Sequence, residues 1–341
     1  MMGRYILRKR KTLFFILMVV YFILVIGAIS MGAANIKPHE VFMEILKGIP
    51  FIGRYIHTAP SNKNFLIIFM VRMPRIIMAS IVGMGLAVVG TAFQSLFKNP
   101  MADPYVLGVS GGAALGAALA IVIHLPATLF AFIGAAATTI MVYMIVQVRG
   151  KASTVYLLLV GSSIGFLTSS LISIIMVFNQ EQASRIIFWM LGSFNASSWE
   201  NIYIAAPVVL IGTMIISFFY KEFNLMLTGE ETAKTLGVET EKLKKGTIII
   251  SSMMIAVSVS FSGLIGFVGF IVPHMARIIV GPNNKVLIPF SALGGAIFLL
   301  LSDTIGRTIA APGELPVGAV TALIGAPYFI YLLIKMKRRS G

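Results

Sequence analysis

TLFFILMVVYFILVIGAISM, residues 12–31, runs without a single charge and follows Arg8, Lys9, Arg10 and Lys11. A bilayer core of ~30 Å is crossed by ~20 apolar helical residues. The stretch therefore reads as a membrane-spanning helix. Its basic opening resembles a secretory leader, but the run is long enough to span and others follow it, so it is read as a retained first helix. Working outward, apolar runs cut at charges and turn residues fall at 12–33, 65–97, 105–124, 127–148, 153–178, 201–220, 247–264, 266–280, 286–304 and 316–334. The second is long, and its first third is a candidate to lie outside the membrane. The seventh and eighth read as a broken pair, because the eighth is short.

Composition agrees. Of 341 residues, 58% are hydrophobic and 11% charged, with a mean hydropathy of +0.94. Soluble domains carry roughly 25% charged residues, so soluble-enzyme classes are excluded. The expected fold is all-α and integral to the membrane, with about ten spans and no large soluble domain. The chain reads as one transmembrane domain, 1–341, with a cytoplasmic segment at 222–245. The absence of cysteine excludes disulfides and thiolate metal sites.

The net charge of +15 raises the question of nucleic acid. With the N-terminus inside, the inner segments hold 19 of the 27 Lys and Arg residues and the outer ones 8. That bias places both termini in the cytoplasm. It also explains the charge as membrane flanking, so no nucleic-acid partner is expected.

Several chemistries lack their residues. There is no GxxxxGK[ST] phosphate loop, and His39, His57, His124 and His274 are scattered. No metal, cofactor or catalytic set is expected. Asp103 and Asp303 sit near span ends, which suits neither a proton relay nor a sodium site at mid-depth. A pump of this sequence would draw its energy from another subunit.

Five features could carry function. Residues 222–245 hold five of the twelve acids. Within them, Gly229 to Gly237 reads as a short helix with acids in its first turn and a glycine past its end. Glu241 and Lys245, spaced i, i+4, suggest a second short helix. The segment is either a solvated loop or a docking surface for a soluble partner. Arg72 and Arg75 at the outer end of the second span, and Arg307 four residues after Asp303, form an outer basic group. Snorkelling and a local ion pair explain them simply; capture of a partner's carboxylates is the alternative. Gly108, Gly112 and Gly116 form a double GxxxG, favouring helix packing within the subunit. Residues 179–200, with Arg185, Trp189 and Trp199, read as an interfacial belt or a short gating helix.

Some of these residues carry a resemblance. Gly90-Thr-Ala-Phe-Gln94, Asn99-Pro100-Met101-Ala102-Asp103-Pro104 and Leu107-Gly108-Val109-Ser110-Gly111-Gly112-Ala113 are similar to the permease subunits of type II ATP-driven (ABC) importers. These are the iron–siderophore, haem and vitamin B12 permeases. Gly229-Glu230…Ala233…Leu236-Gly237, Gly263 to His274 with Pro273, Asp303 to Arg307, Glu314-Leu-Pro316-Val-Gly318 and Gly325-Ala-Pro327 extend it over roughly 65–335. Met101 is often leucine in that family, and Gly111 often serine or asparagine.

The resemblance implies the type II importer permease fold and a place in the cytoplasmic membrane of a bacterium. Its partners would be a second permease, identical or paralogous, two cytoplasmic ATPase subunits and an extracytoplasmic binding protein. Arg72, Arg75 and Arg307 would meet glutamates of the binding protein. Gly229, Glu230, Ala233, Leu236 and Gly237 would belong to the segment seated in the ATPase, and 153–200 to the pathway lining. Asn99, Pro100, Gly108, Gly112, Gly116 and Pro273 would be structural. The cargo expected on family frequency is a ferric siderophore, with haem or vitamin B12 as alternatives. From a different class, a secondary carrier is the competing reading.

Overall fold

The computed structural model describes residues 2–32, 36–48, 62–147, 154–311 and 313–340. Among these there are helices and turns and no strand. In chain order the helices are α1 (Met2–Ser30), α2 (Pro38–Gly48), α3 (Asn62–Leu66), α4 (Met73–Leu96), α5 (Val109–Val122), α6 (Ala127–Gln147), α7 (Thr154–Phe178), α8 (Gln180–Met190), α9 (Trp199–Phe218), α10 (Tyr220–Met226), α11 (Glu230–Thr235), α12 (Thr240–Ser262), α13 (Val268–Val280), α14 (Asn284–Ile309) and α15 (Val317–Ser340). A π-helical turn, Ile67–Arg72, joins α3 to α4, and a 3₁₀ turn, Pro104–Leu107, precedes α5.

Among the described residues, seven helices are long and apolar enough to cross a membrane: those spanning Arg10–Ser30, Asn64–Leu96, Ala127–Ile145, Tyr156–Phe178, Trp199–Phe218, Thr240–Ser262 and Asn284–Ile309. The shorter apolar helices α5, α13 and the 317–332 part of α15 bring the set to the expected ten. The long second run is one continuous helix through the π turn. Such a turn loosens the i→i−4 ladder, and the Trp199 indole N–H donates to the Phe69 carbonyl there at 2.8 Å.

α4 is the central pillar, buried on nearly every face. α12 and α14 cover it, while α1, α6 and α7 are mostly exposed and form the apolar rim. Lipid tails supply no hydrophobic drive between helices, so contact depends on close backbone approach. Gly83 of α4 lies against the Gly295 carbonyl of α14, and Gly90 against the Gly269 carbonyl of α13; a methyl group at either glycine would overlap that oxygen. Pro273 explains the second contact. It has no N–H for the Gly269 carbonyl four residues back, so that oxygen is free to face Gly90. Gln94 then donates to the next carbonyl, Phe270, at 3.1 Å.

Two expectations are corrected in detail. The charged piece around Glu241 and Lys245 is no separate helix: it forms the first turns of α12. Glu241 pairs with Lys244 at 3.4 Å, and Lys245 lies over the Tyr143 ring. Gly108 is no face glycine: at φ +71° it makes the left-handed turn between the 3₁₀ segment and α5. Gly112 and Gly116 do pack within the subunit, against Gly134, Thr138 and Phe130 of α6. The broken pair is as expected: α12 ends at Ser262 and α13 resumes at Val268, with Gly263 and Phe267 both at φ +69°.

Candidate functional site

The bundle has two ends of distinct chemistry, named here by the short helices they carry. At the α8 end, Arg75 extends from α4 to grip Asp303 of α14, with Nε 3.0 Å from both carboxylate oxygens and Nη2 2.8 Å from Oδ1. Its Nη1 donates to Glu314 at 2.9 Å and to Asn195. Arg72 donates to the carbonyls of Ile29 and Ser30, the latter at 3.1 Å. Arg307 donates to Ala28 and Met31, the latter at 2.9 Å. These carbonyls close α1, whose last turn has no further helical N–H to accept from; cations suit that negative helix end.

All three arginines are thus turned inward, with Arg72, Arg75 and Arg307 at 5%, 9% and 6% exposure. The sequence placed them on an outer surface; in this conformation each guanidinium bonds to the protein itself, with Arg307 Nε left without a hydrogen bond. The expected i, i+4 pair is also stretched. Arg307 Nε stands 3.9 Å from Asp303, because Asp303 is held by Arg75. Glu314 and Asn195 were missed as members of this cluster. Glu314 lay inside a recognised motif, but only the fold carries it to α4. Beside the cluster, the Ser193 N–H donates to the Ser262 carbonyl, and the Val317 and Gly318 N–H groups donate to the Gly192 and Leu191 carbonyls. This stitches the α8–α9 turn to α12 and α15.

At the opposite, α11 end stands the segment flagged at 222–245. Gly229 opens α11 at φ +127°, and Gly237 closes it at φ +88°. The Gly237 N–H reaches the Lys234 carbonyl and the Val238 N–H the Ala233 carbonyl, both at 3.0 Å. That pair of bonds is the Schellman ending, which needs a left-handed residue and so favours glycine. Ala233 is fully buried and seats the helix, while Leu236 is 59% exposed beside it. Glu230 Oε1 accepts from Lys244 at 2.6 Å and pairs with Lys234 at 3.2 Å. Burial pushes the Glu230 carboxyl up, but the hydrogen bonds and charges of Lys244 and Lys234 outweigh it, so the group titrates below its ordinary value. Lys234 is raised by its bonds to Glu231 and Glu230. A recess of about 600 Å³ opens here between α9, α10 and α12, with Leu236, Gly237, Glu239 and Lys242 on its rim.

The α11 segment is tied to the central helix. Lys98, just past α4, donates to the Thr228 carbonyl at 3.3 Å. Ser95 of α4 donates to Asn284, whose amide and backbone N–H both donate to Asn224 of α10. These asparagines went unremarked in the sequence, where nothing distinguishes them from loop residues. Asn99 and Pro100 form the turn that leaves α4, with Asn99 Oδ1 accepting from the Met101 N–H at 2.9 Å.

Between the ends, α7 buries, among its described side chains, only the stripe Leu157, Gly161, Ile164, Thr168 and Ile172. Its other faces are exposed and mix Phe166 and Phe178 with Ser162, Ser163, Ser170 and Ser173. Each of these serine hydroxyls donates to a carbonyl one turn earlier in its own helix, at 2.8–3.0 Å. The surface is therefore long, mildly polar and without a free charge on its described residues.

The sequence matches the FecCD transport family over residues 17–335. The chain belongs to the FecCD transport family. It is 42% identical over 271 residues to the cobalamin import permease BtuC of Halobacterium salinarum, covering 78% of this chain and 73% of that one. It is 34% identical to the hemin permease HmuU of Yersinia pestis, covering 95% and 96%. It is 36% identical to the Fe(3+)-citrate permease YfmD of Bacillus subtilis, covering 95% of each chain. Among solved structures, an inward-facing metal-chelate-type ABC transporter superposes with a TM-score of 0.83 at 30% identity, covering 95% of this chain and 99% of that one. The FecCD chain is thus an ABC importer permease with the type II fold. Such permeases are not enzymes: ATP hydrolysis belongs to a separate subunit, and the family implies permease pairing and a substrate-binding partner.

Proposed function

We propose that this FecCD chain pairs with a second permease, identical or paralogous, to pass an iron chelate, most simply a ferric siderophore, across the cytoplasmic membrane. Its α8 end faces outward and its α11 end and both termini lie in the cytoplasm. Two ATPase subunits take the α11 segment. The observation that carries this is the α11 geometry. A short helix is fixed by Ala233 and Glu230, presents Leu236 beside a recess, and is bonded through Thr228 and Asn224 to the end of the central helix. Motion imposed on α11 is thereby delivered to α4, the element that the other helices pack against. ATP closure then favours one facing of the permease by a population shift.

The cargo path runs along α7 and the turn into α8. Hydroxyls already bonded to their own helix hold a large chelate only weakly, which suits passage, since a tight site would trap it. At the outer end, Arg72, Arg75 and Arg307 remain the proposed receivers of the binding protein's glutamates, by exchange of the α1 carbonyls, Asp303 and Glu314 for the incoming carboxylates. Bidentate guanidinium–carboxylate geometry allows such exchange.

A corrinoid cargo is the second reading, favoured by the 42% identity to the Halobacterium salinarum cobalamin permease. The deciding experiment is an absorption spectrum with metal analysis of the binding protein captured by this chain from native membranes. A ferric charge-transfer band without a Soret band supports the siderophore. A Soret band means haem, and cobalt with a corrin spectrum means the vitamin. Uptake that follows the membrane gradient and ignores ATP depletion would overturn the whole proposal.

A further inference from the structure

Arg277 lies on α13, one turn before its end, and neither end-site uses it. Its Nε and Nη2 are closed off from solvent and have no hydrogen-bond partner among the described residues. The side chain as a whole is partly exposed, so it can be approached from outside the bundle. Two closed-off nitrogens without an acceptor are costly, and the remaining Nη1 edge of the guanidinium, which is not closed off, is open to an incoming anion.

The chain does not supply that anion. The sequence has no acid between Glu241 and Asp303, none after Glu314 and none before Glu40. α1, α13 and α15 therefore carry no carboxylate, and the only one on α14, Asp303, is gripped by Arg75 at the other end. Glu222, on neighbouring α10, lines the recess beside α11 and has an unbonded oxygen of its own. A second base, Arg10, lies at the same end of α13. Arg10 of α1 comes up against Gly281, whose N–H donates to the Arg277 carbonyl at 2.9 Å. Beside Arg277 on the same helix, Met275, Ile278 and Ile279 are exposed, as on a lipid-facing surface.

We infer that Arg277, with Arg10, binds the phosphate headgroup of an anionic phospholipid at the α11 end, between α1 and α13. The apolar residues beside it receive the acyl chains, and the guanidinium pairs with the phosphate. Basic pockets between membrane helices take acidic lipids in this way.

The test uses the full chain in nanodiscs of phosphatidylcholine with and without phosphatidylglycerol, read by native mass spectrometry of retained lipid. Wild type is expected to retain phosphatidylglycerol over phosphatidylcholine. Arg277→Gln and Arg10→Gln are each expected to weaken that preference about fivefold, and Arg277→Lys to keep part of it. A second arm adds inorganic phosphate to protein in phosphatidylcholine alone. If phosphate stabilises wild type as well as phosphatidylglycerol does, the site takes free phosphate and the lipid assignment is overturned. Unchanged lipid retention in both glutamine variants overturns it outright. Unchanged retention with loss of co-purifying ATPase assigns Arg277 to a protein carboxylate and overturns it as well.

Discussion

Replacing Arg75 with leucine should unfold this protein more readily than any other single change at the α8 end. The reason lies in what Arg75 leaves behind. Asp303 has a side-chain exposure of 1%, and its near partners are Arg75, at 2.8 Å, and Arg307, at 3.9 Å. Without Arg75 the carboxylate keeps, among the described residues, only the distant Arg307 guanidinium. Removing one partner of a buried pair costs ~3–5 kcal/mol, mostly the penalty of the stranded charge. Removing both should cost less, so Arg75→Leu with Asp303→Leu should recover part of the loss. Glu314, already 36% exposed, can turn to solvent in either variant. The assay is reversible unfolding in mixed micelles, run as a double-mutant cycle. A single-variant loss below ~1 kcal/mol, the range of an exposed ion pair, would refute the reasoning. So would a double variant less stable than the single.

Four other outcomes follow from the same geometry. Gly90→Leu should prevent α4 from meeting α13 at Gly269 and lower the melting temperature sharply, whereas Gly246→Leu, whose Cβ meets open space, should leave it nearly unchanged. Trp199→Phe keeps an aromatic ring but removes the pyrrole part of the indole and with it the bond to Phe69; a stability loss of at least about 1 kcal/mol is expected, measured by the same micelle titration. The folded-state titration of Glu230 lies below its ordinary value, so its contribution is complete above the ordinary carboxyl range and fades as pH falls through the folded value. Amide exchange at α11, corrected for intrinsic rates, should therefore rise on acidification in wild type and respond less in Glu230→Gln. Leu236→Asp should insert normally and abolish transport-coupled ATP hydrolysis in the reconstituted importer; unchanged coupling would remove α11 from the proposed docking surface.

The spans were legible in the residue order alone, because hydrocarbon requires long uncharged runs, and that requirement is local to each run. The short helix at Gly229–Gly237 was legible too, since its acids and its closing glycine are neighbours in the chain. The family was legible for the same reason: its motifs are contiguous stretches. Only the tertiary structure decided the fate of the arginines. Arg75 meets residues 228 and 239 positions away, and Arg72 and Arg307 find acceptors at the end of α1, on carbonyls that every sequence possesses. Backbone oxygens leave no mark in composition or spacing, so a buried clasp and an outward patch read alike until the helices are brought together. The same holds for Asn224, Asn284 and Ser95, ordinary polar residues that the fold joins into a link between α11 and the central helix. It holds too for Arg277: that α1, α13 and α15 carry no acid is visible in the sequence, but the closure of its Nε and Nη2 is a property of the packed bundle.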